Sequence, residues 1–321
     1  MLRCAQEAGR SSARLFFLSP PLGLVKPLAK QLIESLCLTE PTLRQTSSIL
    51  YLAVDSLIPA RGRAIPGLDE FMATLDHAGV PVVWVSSRTR LQLDDPRRKA
   101  GHTHPFIAED GCGAYLPEDY FHLKPEKTVR LGRFTCIPVA QRQPAAANAL
   151  EELAEATGVD AVPLRSLSPR ELAQNSGLPS REAELLRQPD FDELFFLAGA
   201  SDADVARLKA EAQSRNLQLR EHGVLWSLAA GASVKRCVQE LTKLYDRALR
   251  YHAASVAIAT PADVPALFPA CDRRILLSET RERDDEDAAS DGSSAAAGRQ
   301  FYLRDPSLWE ELTEFLVTRK S

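Results

Sequence analysis

No stretch of the chain comes near the roughly 20 consecutive apolar residues that a membrane-spanning helix needs, so no such span is expected. Its cysteines are few and scattered: Cys4, Cys37, Cys112, Cys136, Cys237 and Cys271 contain no Cys-x-x-Cys pair. That spacing speaks against a zinc ribbon or a dithiol redox centre and suits reduced thiols in a cytoplasmic protein. An excess of positive charge is also missing. A net charge of −4 gives no electrostatic case for nucleic-acid binding, which would need a basic face. The six histidines are dispersed, and only His102 and His104 lie close together, with no third histidine nearby to complete a metal site. A solvated loop is expected there. The chain has no internal repeat, and its 321 residues, 45% hydrophobic and 26% charged, are ample for two domains with real cores.

Two segments stand apart from the rest. Residues 1–46 form an N-terminal extension whose early part, Arg10 to Phe17, bears Arg and Ser but few acids, faintly like a transit peptide. Val25 to Leu38 has the pattern of an amphipathic helix, and an overextended start would read the same way. Residues 281–298 hold Arg283-Asp284-Asp285-Glu286-Asp287 and then Ser293-Ser294-Ala295-Ala296-Ala297. With almost no large apolar residues, this stretch cannot offset the entropy of ordering, and a flexible insertion is expected.

Between and beyond them, strands alternate with helices, the pattern of a doubly wound, mainly parallel α/β sheet. The strand Ile49-Leu50-Tyr51-Leu52 runs into Ala53-Val54-Asp55-Ser56. Leu68, Phe71, Met72 and Leu75 then recur at helical spacing, and Val80-Pro81-Val82-Val83-Trp84-Val85 reads as a buried strand. That strand delivers Ser86-Ser87-Arg88-Thr89-Arg90 at its C-terminal end, where parallel sheets present ligand-binding groups. Further on come Pro105-Phe106-Ile107-Ala108-Glu109-Asp110-Gly111-Cys112-Gly113, then Ser168-Pro169-Arg170-Glu171-Leu172, and Asp190-Phe191-Asp192-Glu193-Leu194. Gly231-Ala232-Ser233-Val234-Lys235 opens a helix, and Thr260-Pro261-Ala262-Asp263-Val264-Pro265-Ala266-Leu267 follows Ala259. Phe301-Tyr302-Leu303 resumes a strand, and Ser307 to Leu316 closes the chain with an amphipathic helix.

In order and spacing these segments resemble the haloacid dehalogenase (HAD) superfamily, and within it the mannosyl-3-phosphoglycerate phosphatases, over roughly residues 47–320. The resemblance implies a HAD-like core of residues 47–121 and 226–321, with an α/β cap of residues 122–225 inserted between them. It also implies a chemistry. The family's first motif reads Asp-x-Asp-Gly-Thr, and its first Asp attacks phosphorus to form an aspartyl-phosphate. Here Ala53 stands at that position, and an alanine cannot attack. Asp55 falls on the second Asp, the general acid/base, although a lone Asp after a strand also reads as a turn residue. Ser86 matches the second motif and Lys235 the lysine of the third, shifted by one residue. A plain helix cap and a solvated lysine are the alternatives for those two.

The family uses Mg²⁺, a hard cation normally held by one or two carboxylates with waters and phosphate oxygens. Ala53 and Ala259 stand where both carboxylates belong, which leaves Asp263 and the backbone carbonyl of Asp55 as a weak set. By resemblance, Ser87, Arg88, Glu109, Asp192 and Glu193 would contact substrate, while Pro189 and Leu194 depart from the cap signature. Losing a covalent nucleophile costs on the order of 10⁴ to 10⁶ in turnover. The expected function is a phosphatase homologue without family catalysis, a pseudophosphatase that binds a small phosphorylated sugar-acid metabolite or a protein partner. The alternative is an active Mg²⁺-dependent hydrolase of mannosyl-3-phosphoglycerate or a related sugar phosphate.

Overall fold

Strand β1 (Ser48–Ala53) is buried along its whole length, as a strand covered on both faces must be. Its side chains alternate. Leu50 and Leu52 enter one core with Trp84, Phe71 and Leu312, whereas Ile49, Tyr51 and Ala53 enter a second with Val83, Val238 and Leu241. The computed structural model describes residues 48–59, 64–123, 125–279 and 299–317. The N-terminal extension 1–46 and the insertion 281–298 lie outside the described residues.

Helix α1 (Leu68–His77) leads to β2 (Val82–Val85), and α2 (Arg90–Lys99) leads to β3 (Phe106–Ala108). Strands β4 (Gly113–Leu116), β5 (Val129–Leu131) and β6 (Phe134–Pro138) follow. The chain then builds a second layer from α3 (Gln143–Thr157), β7 (Ala161–Pro163), α4 (Pro169–Ser176), α5 (Ser180–Leu186), β8 (Glu193–Leu197), α6 (Asp202–Ser214), β9 (Leu217–His222) and β10 (Leu225–Ala230). It returns through α7 (Val234–Leu249), β11 (Ala254–Ala259), the short α8 (Val264–Leu267), β12 (Arg273–Ser278), β13 (Arg299–Tyr302) and α9 (Leu308–Val317).

Among the described residues the strands form two sheets. The larger has nine strands in the order β13-β12-β11-β1-β2-β3-β4-β6-β5. It is parallel from β13 to β3 and antiparallel beyond. The smaller is antiparallel, in the order β7-β8-β10-β9. Leu150 and Leu153 of α3 and Leu208 of α6 pack against Phe195, Trp226 and Leu228 on one face of the smaller sheet, while Leu172, Ala183 and Leu186 pack with Leu194 and Leu225 on the other. This is a doubly wound α/β core with an inserted α/β cap.

The expected boundaries of the cap shift at both ends. Residues 129–138, expected in the cap, extend the large sheet, β6 pairing with β4 and β5 with β6, because Phe134 and Cys136 complete its apolar face. Residues 226–230, expected in the core, belong to β10 of the small sheet, where they pair along the whole of β9. The two connections between layers run side by side. Gln141 N donates to the Ala230 carbonyl at 2.9 Å, and Val139 N and Ala140 N both donate to the Cys112 carbonyl at 2.9 Å.

The cysteines Cys112, Cys136, Cys237 and Cys271 are free and buried. His102 and His104, expected on a solvated loop, are packed instead. The His102 ring stacks on Trp84 at 4.5 Å, Arg97 Nε donates to its Nδ1 at 3.0 Å, and burial pushes its pKa well below the ordinary histidine value. His104 Nδ1 meets the Tyr120 hydroxyl at 2.8 Å. The segment is held in because it leads directly into β3 beneath these aromatic rings. Among the described residues no helix is long and apolar enough to cross a membrane.

Candidate functional site

Parallel strands β1, β2 and β11 end side by side, and the loops after them converge beneath the β9–β10 hairpin of the cap. A cavity of about 430 Å³ lies between the two layers. From the core it is lined by Asp55, Ser86, Ser87, Asp110 and Asp263 among others, and from the cap by Arg220, Glu221 and His222. This is the crevice outside the carboxyl ends of the strands, where open α/β sheets hold their ligands.

Asp55 is held from three sides. The Ser86 hydroxyl donates to its Oδ1, while the Ser87 amide and hydroxyl each donate to Oδ2 at 2.7 Å. Arg88 adds an ion pair, its Nε 3.6 Å from Oδ1. The same guanidinium reaches the Asp55 carbonyl at 3.4 Å and also donates to the Ile58 carbonyl. Ser86 and Ser87, expected to meet a phosphoryl group, thus donate to Asp55, although both still line the cavity. Arg88 is an internal ion-pair partner and not a lining residue.

Asp263 caps the start of α8 and accepts a hydrogen bond from the Thr260 hydroxyl at 2.9 Å. Burial raises its pKa, and the nearby negative charges of Asp55 and Asp110 raise it further against the opposing Thr260 bond. Asp110 sits at φ 52°, uncommon for a side-chain-bearing residue, between Glu109 at φ 52° and Gly111 at φ 88°. A Cβ on Gly111 would stand 2.2 Å from the Val234 amide nitrogen, so this turn seats directly on the first turn of α7. Asp110 faces the cap, with His222 Nε2 3.2 Å from Oδ2 and Arg220 Nη1 3.6 Å from Oδ1. His222 Nε2 also lies 3.0 Å from the Ser227 hydroxyl.

Ala53 and Ala259 end β1 and β11 with 3% and 0% of their surfaces exposed. Both join the apolar cluster that contains Val85, Leu267 and Phe268. Nothing at either position can attack phosphorus or ligate a cation. Of the acids elsewhere that might replace them, Asp94 pairs with Arg133 at 3.0 Å, Asp95 with Lys99 at 2.7 Å, and Asp272 accepts from Ser255; none lines the cavity. Among the described residues no group of three or more His, Cys, Asp or Glu is placed to hold a metal ion. With Asp55 engaged on both oxygens, the residues present do not fit the family's Mg²⁺.

Besides Arg88, four more expected site residues do not line the cavity. Lys235 is exposed on the first turn of α7 and does not line the site, because the neighbouring Val234 and Cys237 take the buried face of the helix. Glu109, Asp192 and Glu193 are 1%, 2% and 2% exposed and brace the junction of core and cap. The Glu109 carboxylate accepts the backbone amides of Asp190, Phe191 and Asp192 at 3.0, 2.8 and 3.1 Å. Burial, with the charge of Asp190 adding, pushes its pKa up to about 7 against those amide bonds. Burial, then the charge of Glu109, holds the Asp192 carboxyl well above the carboxylate range. Glu193 pairs with Arg165 at 3.0 Å and accepts from Gln143. Burial raises its pKa against those two partners.

Sequence reasoning missed Asp110 and the cap residues Arg220, Glu221 and His222. Their signal was faint: Arg220 and His222 alternate on one face of a strand that stops at Gly223, whose φ of 69° begins a two-residue hairpin turn.

No protein-family model matches the chain. A glucosyl-3-phosphoglycerate/mannosyl-3-phosphoglycerate phosphatase of Methanococcoides burtonii is 24% identical over 182 residues, covering 57% of this chain and 65% of that protein. A mannosyl-3-phosphoglycerate phosphatase of Pyrococcus furiosus is 27% identical over 134 residues, 42% of this chain and 52% of that one. The chain therefore spans less than two thirds of the length of either relative. In structure it is similar to a phosphatase of the HAD superfamily from Bacteroides thetaiotaomicron, with a TM-score of 0.55 and 16% identity over 85% of this chain and 97% of that one. The chain thus has the fold of HAD-superfamily phosphatases, and over part of its length its sequence is similar to mannosyl-3-phosphoglycerate phosphatases.

Proposed function

We propose that this chain is a pseudophosphatase, a HAD-fold relative of sugar-phosphate phosphatases that binds a small ligand in the cap-covered cavity without hydrolysing it. The observation that carries this reading is the pair of buried alanines, Ala53 and Ala259, at the two strand ends where the family chemistry needs carboxylates. Three further features support it. Asp55 spends its hydrogen-bonding capacity on Ser86, Ser87 and Arg88, Lys235 lies off the cavity, and no other carboxylate takes the nucleophile's place. The names of the sequence relatives point to a phosphorylated sugar acid as the ligand class. Arg220 and His222 on β9 are the groups that would meet its anionic end. A ligand seated there would contact core and cap together, so binding would tighten the two layers against each other.

The test is a phosphate-release assay on glucosyl- and mannosyl-3-phosphoglycerate at high enzyme concentration. No release above the blank is expected, with or without Mg²⁺. Mg²⁺-dependent release that disappears on Asp55→Ala would overturn the proposal and establish a working hydrolase with Asp55 in a catalytic role.

A further inference from the structure

Arg88 is a largely buried cation set against the carboxylate of Asp55. Its side chain is 12% exposed and that of Asp55 is 25% exposed. One guanidinium meets the Asp55 carboxylate at 3.6 Å and its backbone carbonyl at 3.4 Å, and it also takes the Ile58 carbonyl. We propose that the Asp55–Arg88 ion pair is the internal replacement for a divalent cation, so that this site is closed to Mg²⁺ and Mn²⁺.

A small divalent cation needs several oxygen atoms converging with lone pairs free. Oδ1 of Asp55 already takes the Ser86 hydroxyl, Oδ2 takes the Ser87 amide and hydroxyl, and the carbonyl faces Arg88. Asp263 accepts from Thr260 through one oxygen and Asp110 lies within ion-pair distance of Arg220 and His222, and among the described residues no three or more such side chains converge to hold a metal ion. Ala53 and Ala259 contribute no oxygen beyond the backbone. A divalent ion at Asp55 would also stand a few ångströms from the guanidinium, where like charges repel strongly in a partly buried setting. Arg88 thus balances the charge of Asp55, and its contacts hold the loop after β1 against the loop after β2.

This inference rests on the proposed site without turnover, but a different readout tests it. Mn²⁺ alone would be titrated into the full chain and free Mn²⁺ followed by electron paramagnetic resonance, with thermal unfolding recorded in parallel. The natural protein is expected to take up no Mn²⁺ at millimolar concentration and to unfold at an unchanged temperature. The replacement pair Ala53→Asp and Ala259→Asp is then compared with the same pair plus Arg88→Met. Removal of the guanidinium is expected to tighten Mn²⁺ binding at least about tenfold. Saturable Mn²⁺ binding by the natural protein, or equal affinity with and without Arg88, would overturn the inference.

Should the multiple replacements fail to fold, Arg88→Met in the natural background decides alone. It is expected to unfold at a lower temperature that Mn²⁺ partly restores, and an absence of such rescue would count as failure. Metal-independent phosphate release would sink the proposed function and leave this inference standing. Mn²⁺ uptake without phosphate release would do the reverse.

Discussion

At position 55 the aspartate is tied into the structure by its neighbours. Three hydrogen-bond donors and one guanidinium converge on its carboxylate, so Asp55→Ala would strand Ser86, Ser87 and Arg88 together. A loss of about 1 to 3 kcal/mol is expected in urea unfolding, the usual range for buried polar groups left without partners. A smaller change would mean that water replaces the carboxylate freely. Gly111→Ala should be at least as harmful, at about 2 to 4 kcal/mol, since its φ of 88° and the 2.2 Å approach of the Val234 nitrogen leave no place for a Cβ. The alanine at position 53 was legible in the sequence, because one residue type at one position decides it, and its reading as the nucleophile's place comes from the resemblance. The structural work of Glu109, Asp192 and Glu193 was not. A carboxylate written in a motif can face a ligand or a backbone amide, and only the packing of the turn against the cap tells which.

The turn Glu109–Gly111 and the segment leading into β8 form the junction on which the two layers rest, and the junction is built around carboxyl groups with raised pKa values. The sign of its pH dependence follows from linkage. A carboxyl whose folded pKa lies above its unfolded value holds its proton more tightly when folded, so stability falls as pH rises between the two. For Glu109 that window runs from its ordinary 4.5 to about 7. Other titrating groups are shared by a variant and its parent, so the difference between them isolates the junction. Asp192→Asn removes a second carboxyl that burial and then the charge of Glu109 hold well above its ordinary range, and with it that carboxyl's share of the loss. The stability of Asp192→Asn relative to the parent is therefore expected to rise between about pH 5 and about pH 7.5 in denaturant unfolding, and a flat difference would contradict this. At this scale the sequence was largely readable: β1, β2, α1, β11 and α9 have the strong periodicity of buried elements. The edges of the cap were not, because short strands such as β5 and β6 carry little pattern of their own and their sheet is chosen by where an apolar face remains open.

The molecule as a whole joins a layered scaffold to a cavity whose adjoining strands β1 and β11 end in buried alanines, which under the proposed function leaves no turnover. That combination is physically easy to reach. The two cores are held by dozens of apolar contacts, whereas turnover depends on a few side chains whose loss unfolds nothing. Replacing Ala53, with 3% of its surface exposed, by a carboxylate should itself lower stability by about 1 to 3 kcal/mol, as burial of an unpaired polar group does. The cavity between core and cap remains in place for a ligand.

The most direct measurement is phosphate release from mannosyl-3-phosphoglycerate in the presence of Mg²⁺, comparing the natural chain with the Ala53→Asp, Ala259→Asp double replacement, with and without Arg88→Met. No release by the natural chain, with activity appearing only when the carboxylates are restored, is the predicted result. Release by the natural chain itself would contradict the account, since some group other than those at positions 53 and 259 would then be attacking phosphorus.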